Sequence, residues 1–204
     1  PMKLTSPTFL LVAALLALAA FTAISPPEAT LGVNARVVYL HGAWVWAALA
    51  AFIAAGVAGL IGLARRAELW HRRSRALGRT GLLFWITYLP ISLWAMQANW
   101  NGLFLAEPRW RVALIFAIAG ALAQIGVTLL ENPLWASVVN VAFIAALLIT
   151  LQTTEKVMHP PAPMLQSNAV HIQSYFALLT FLSLIAAWQV ARLFYRVERD
   201  DQGV

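Results

Sequence analysis

Residues 37–63 read VVYLHGAWVWAALAAFIAAGVAGLIGL, and residues 64–79 continue as ARRAELWHRRSRALGR. The first stretch is apolar throughout apart from Tyr39 and His41, and exceeds the roughly 20 residues needed to cross a hydrocarbon core. The second holds Arg65, Arg66, Arg72, Arg73, Arg75 and Arg79 against the single acid Glu68. So abrupt a change from lipid-soluble to basic sequence marks a helix leaving a bilayer on the side that retains positive charge.

Working outward, five more apolar runs approach spanning length: about 4–24, 80–98, 112–130, 133–151 and 172–194. Hydrophobic residues make up 61% of the chain and charged residues 11%, against about 25% charged in soluble domains. An all-α polytopic membrane protein follows, one domain over 1–204 with six transmembrane helices, because only helices satisfy isolated backbone in lipid. Residues 4–24, with Lys3 ahead of an apolar run, have signal-peptide features, but the length of the run favours a retained helix. Pro90 predicts a kink within the third span. Gly56, Gly59 and Gly62 recur every three residues and offer a surface for close helix packing. Glu131-Asn132 before Pro133 predicts a tight hairpin.

Lys3, Arg192, Arg196 and Arg199 fall on the same side as the basic segment. Only Arg36, Arg109, Arg111 and Lys156 fall on the other. Positive-inside bias therefore places both termini and loop 64–79 in the cytoplasm, and the protein in a bacterial or archaeal plasma membrane. Six of the fourteen cationic residues lie in that one segment, so topology accounts for the net charge and no nucleic-acid partner is expected; lipids are. His71 reads as a solvated residue of the basic loop. Cysteine is absent, which excludes disulfides, thiolate metal sites and covalent haem attachment. Outer-side acids are Glu28, Glu107 and Glu155, too few for a hydrolytic triad, and no Gly-rich phosphate loop occurs.

Chemistry then belongs to three outer connections, about 25–36, 99–111 and 152–171. His41 opens the second helix, with Trp44 and Trp46 at interfacial depth; it is either a ligand or a histidine hydrogen-bonded at headgroup level. His159 precedes Pro160, Pro161 and Pro163, a stiff backbone that can hold an imidazole at a fixed depth, or simply expose it. His171, before the last helix, is a third candidate ligand or a capping residue. The connection 99–111 is amphipathic and aromatic, suited to the bilayer surface or to one wall of a flat apolar ligand site. Arg109 and Arg111 would meet haem propionates or lipid phosphates.

These residues resemble a family. Arg36-x-x-Tyr39-x-His41 leading into Ala43-Trp44 is similar to the outer stretch of the CcmC-type haem-handling proteins of cytochrome c assembly, which also have six transmembrane helices. Their second histidine, after helix five, corresponds to His159. Their signature Trp-Gly-x-Trp-Trp-x-Trp-Asp-x-Arg aligns with 100–109, where Trp100 and Arg109 match and Glu107 replaces the aspartate. Leu103, Phe104 and Ala106 stand in place of the inner tryptophans. The resemblance implies non-covalent haem b held axially by His41 and His159, with His171 in reserve. Trp100, Phe104 and Trp110 would form a reduced platform, and Arg109 would meet a propionate. It implies a binding and presentation module working with other membrane subunits of cytochrome c assembly, and no turnover chemistry. The alternative is an accessory structural subunit of a respiratory or photosynthetic complex without its own cofactor.

Overall fold

The computed structural model of the chain describes residues 5–155, 157, 164 and 168–200, with the side chains of 199 and 200 set aside. Six helices follow in order: α1 Pro7–Ala23, α2 Ala35–Arg65, α3 Glu68–Trp100, α4 Pro108–Leu129, α5 Pro133–Thr153 and α6 Val170–Asp200. Five of them, α2 to α6, are long and apolar enough to cross a membrane. The α1 helix is equally apolar but has 17 residues, about 25 Å at 1.5 Å per residue.

Local chemistry sets the helix starts. Ser6 Oγ accepts the Phe9 N–H at 3.2 Å and Pro7 occupies the first turn of α1. Asn132 Oδ1 accepts the Leu134 N–H at 3.0 Å ahead of Pro133, and Pro108 opens α4. A side-chain acceptor followed by proline satisfies one orphan donor and omits another. Between α4 and α5 the expected hairpin is present, with Glu131 at φ 52°. The α3 helix runs on through Pro90.

One expectation is corrected here. Residues 64–79 are not a loop: α3 begins at Glu68 and carries Arg72, Arg73, Arg75 and Arg79 on its first turns. Only Arg66 and Ala67 separate α2 from α3, with Arg66 left-handed at φ 50° and the Ala67 N–H bonded back to the Gly62 carbonyl at 3.2 Å. The hydrophobic pattern reports where a helix is dry, and α3 extends well past that point.

The α2 and α3 helices form the centre. The α2 helix packs on α1, α3, α5 and α6, and α3 packs on α2, α4, α5 and α6. The glycines at 56, 59 and 62 line this seam as expected. A Cβ on Gly56 would sit 2.7 Å from Ile144 Cγ2, and one on Gly59 3.0 Å from the Ser137 carbonyl oxygen, both on α5. One on Gly62 would sit 2.7 Å from His71 Nδ1. Such contacts let backbones approach until dispersion and polar groups act across the interface.

Polar groups complete the seam. Ser74 Oγ donates to the Ala55 carbonyl at 2.8 Å, and Asn140 Nδ2 donates to the Ser74 carbonyl at 2.8 Å and lies 3.0 Å from Ser74 Oγ. Gln124 Nε2 donates to Asn140 Oδ1 at 3.0 Å, bringing in α4. His71, only 6% exposed, meets Ser137 Oγ through Nδ1 at 2.7 Å. The reading of His71 as a solvated loop residue is therefore overturned: its ring packs on Gly62 and joins α3 to α5. At the same end Arg79 and Arg75 approach Glu198 of α6 at 3.0 and 3.5 Å, and Glu198 is 7% exposed.

Outward faces are apolar. On α4, Leu114, Ile115, Ile118, Leu122, Ile125 and Leu129 are all exposed, the pattern of a helix that turns one side to lipid.

A Cβ at Gly78 would fall 2.5 Å from Asn140 Oδ1 and 2.6 Å from Nδ2, whereas one at Gly126 meets nothing within 4 Å. Gly78→Ala should therefore destabilise the protein by about 1–3 kcal/mol through overpacking, while Gly126→Ala is neutral or slightly stabilising through helix propensity. Unfolding of both variants in mixed detergent micelles checks this; equal stability of the two would contradict the packing described.

Candidate functional site

At the end of the bundle opposite Arg65–Arg79, an aromatic layer holds the helices together. Asn34 Nδ2 donates to the Ala98 carbonyl at 2.9 Å, tying the start of α2 to the end of α3. Tyr39 is fully buried and meets the Tyr175 ring edge-on at 5.3 Å, while the Tyr175 hydroxyl donates to the Phe21 carbonyl at 2.7 Å. Three helices, α1, α2 and α6, thus converge on two tyrosines.

His41 lies on the second turn of α2 and is half-buried. Its ring meets Tyr88 of α3 edge-to-face at 5.5 Å, Tyr88 meets Trp85 at 5.0 Å, and Trp85 meets Phe52 at 6.1 Å. His41 is the outermost member of this row of rings running into the bundle. Trp44, one turn on, stacks on Phe84 at 4.4 Å and donates through Nε1 to Thr87 Oγ1 at 2.9 Å. Trp46 instead is exposed.

Between α3 and α4 the chain turns at Asn101, φ 52°, and Leu103, Phe104 and Leu105 are exposed. Trp100 and Phe104 meet at 5.9 Å with their planes 77° apart. A flat macrocycle can therefore stack on one of these rings in this arrangement, and not on both. The arginines placed by sequence in this connection belong to α4, which begins at Pro108. Arg109 Nη2 lies 3.4 Å from the Leu151 carbonyl of α5, and Arg111 Nε donates to the Leu105 carbonyl at 3.3 Å.

Two adjacent donors at the start of α4 are left over. Arg109 Nε and Trp110 Nε1 are both buried and form no hydrogen bond. A buried donor without an acceptor costs roughly 1–3 kcal/mol, and native proteins keep few of them. An anionic acceptor such as a carboxylate is chemistry that satisfies a guanidinium N–H or an indole N–H. Sequence reasoning named both residues but not this feature, which the Tyr39 hydroxyl and Asn99 Oδ1 at the same end share.

The remaining candidates separate. His171 lies on the first turn of α6 and is exposed. His159, with the prolines that follow it, lies outside the described residues, so its separation from His41 is not set here. Among the described residues no group of three or more His, Asp or Glu side chains gathers to hold a bare metal ion. A narrow crevice lies away from these histidines, between Phe52, Leu82, Gly120, Gln124 and Phe143, with no room even for a water molecule, and so is no small-molecule site. Of the residues that could hold a haem, the end opposite Arg65–Arg79 offers one half-buried imidazole, exposed aromatic surface at Phe104 and two unsatisfied donors.

No protein-family model, curated protein or solved structure matches this chain. The functional reading accordingly stands on the residues themselves.

The leftover donors give a direct prediction. In ligand-free protein, Trp110→Phe removes an unpartnered N–H and should leave stability unchanged or slightly raised. Trp85 Nε1 donates to the buried Ala113 carbonyl at 2.9 Å, so Trp85→Phe should cost about 1–3 kcal/mol. Thermal unfolding in detergent distinguishes them; a larger loss for Trp110→Phe would mean its indole is already bonded.

Proposed function

We propose that this chain is a haem-handling membrane protein that presents non-covalent haem b at the end of the bundle opposite Arg65–Arg79, in the service of cytochrome c assembly. The observation that carries the proposal is the pair of buried, unsatisfied donors on Arg109 and Trp110, at the same end as His41. In this reading His41 is one axial ligand, His159 the other and His171 the reserve, while Arg109 and Trp110 receive a propionate. Phe104 and Trp100 give apolar surface to one face of the ring. The resemblance of 36–44 to CcmC-type proteins supports the same assignment.

The basic end faces the cytoplasm of a bacterial or archaeal cell, by the positive-inside bias. Bound haem would supply an iron centre with two axial positions; the chain's own contribution is to hold and orient it beside other membrane subunits, without turnover. A second reading, a cofactor-free accessory subunit, draws on the perpendicular Trp100 and Phe104 rings and the lost inner tryptophans. Co-purification with a stoichiometric set of redox subunits and no haem would favour it.

Haem titration into the purified protein in nanodiscs tests the proposal. A Soret band with low-spin α and β bands on reduction is expected. Losing one axial imidazole in His41→Ala should weaken binding at least tenfold and shift those bands. Arg109→Gln should weaken binding, by roughly tenfold for one lost charge-assisted contact of 1.5–3 kcal/mol, without moving the bands. Protein that stays colourless under haem excess, or a His41→Ala spectrum identical to wild type, would sink the haem assignment.

A further inference from the structure

The six arginines of residues 65–79 divide into two sets. Arg72 pairs with Glu68 at 2.6 Å, and Arg75 and Arg79 share Glu198. Arg65, Arg66 and Arg73 are exposed and form no ion pair among the described residues. All three lie at the corner where α2 ends at Arg65, Arg66 turns left-handed and α3 starts at Glu68. The corner is rigid, because the Ala67 N–H closes on the Gly62 carbonyl and the His71 ring packs against Gly62 beneath it.

Apolar surface adjoins these charges. The Arg73 guanidinium carbon sits 4.7 Å from the centroid of the Trp70 ring, a cation–π contact that holds both side chains. Leu69 is 45% exposed beside them, and Leu60, just over one turn before Arg65, is 56% exposed. Three unneutralised guanidiniums therefore stand where a dry helix face gives way to water, with aliphatic side chains on the dry side and an indole between.

Forked guanidinium donors match phosphate oxygens. A free phosphate would use the charges alone, whereas a phospholipid sets its phosphate among Arg65, Arg66 and Arg73 while its acyl chain lies along Leu60. A zwitterionic headgroup brings its own cation to an already cationic corner; a headgroup with net negative charge does not. We propose that the α2–α3 corner is a binding surface for anionic phospholipid headgroups, selective over zwitterionic ones. This does not depend on the haem reading.

The test uses the full chain in nanodiscs of equal phosphatidylglycerol and phosphatidylcholine, extracted gently, with retained lipid counted by native mass spectrometry. Wild type should retain phosphatidylglycerol in preference. Neutralising all three positions (Arg65→Gln, Arg66→Gln, Arg73→Gln) should lower the retention ratio by on the order of 100-fold, about fivefold per arginine. The corresponding Lys variant should keep most of the preference, and Arg36→Gln at the opposite end should leave it unchanged. Should the triple Gln variant lose its helical circular dichroism, single Arg73→Gln carries the test, with an expected loss of about fivefold. A ratio unaffected by these substitutions would overturn the proposal. So would inorganic phosphate that displaces the bound lipid at equal concentration, since that would show anion binding with no part for the acyl chain.

Discussion

The structure depends on how closely α2 approaches α3 and α5. Lipid tails are as apolar as leucine, so burial of aliphatic side chains gives little reason for one membrane helix to prefer another helix over lipid. Close packing and polar contacts must supply it. Gly56, Gly59 and Gly62 remove the side chains that would hold the helices apart. Asn140, 3% exposed, then links α5 to Ser74 of α3 and receives Gln124 of α4. Ser74 in turn reaches the α2 backbone at Ala55. Four helices meet through one amide and one hydroxyl, with partners on the same or adjacent turns. Interhelical hydrogen bonds in membranes average only about 0.6 kcal/mol each, so their larger effect is to set register and exclude alternative packings.

This seam gives the molecule two unlike ends. On the arginine side, Glu198 holds α6 to α3 through Arg75 and Arg79, while the α2–α3 corner keeps its other arginines facing outward. On the opposite side the helices are joined by rings instead of charges, with Tyr39, Tyr175, Tyr88 and Trp85 packed edge-to-face. An edge-to-face layer is rigid and apolar, and His41 borders it with one ring face committed to Tyr88. A rigid support fixes where an imidazole points, which an axial ligand needs. The donors of Arg109 Nε and Trp110 Nε1 at the same end are buried without a hydrogen-bond acceptor, and the proposed propionate would supply one.

Much of this was legible in the sequence, and the failures have physical causes. The apolar runs located the helices because hydropathy measures what lipid measures, and the glycine spacing located the central contact. The same measure could not see the first three turns of α3, since a helix extending into water is not apolar. His71 was misread for that reason. A helical signal was nevertheless present: His71, Ser74, Gly78, Gly81, Trp85 and Tyr88 recur at steps of three and four, the spacing of one helix face. All six are buried, while the neighbouring arginines at 72 and 73 fall on other faces. At the candidate site, His41 and the start of α4 were identifiable by residue type. The unsatisfied state of Arg109 Nε and Trp110 Nε1 was not, because it depends on which carbonyls α5 and the 101–107 connection bring near. His159 lies outside the described residues, so its place as partner of His41 rests on topology and resemblance.

The central claim is that haem is held at the aromatic end, with iron on His41 and a propionate at Arg109 and Trp110. Locating the iron and the propionates in an experimental map of the haem-loaded protein tests it most directly. The account predicts iron density bonded to a His41 ring nitrogen and a carboxylate within hydrogen-bonding distance of the Arg109 and Trp110 donors. Iron at the arginine end, or haem at the aromatic end with His41 unliganded and both donors still bare, would contradict it.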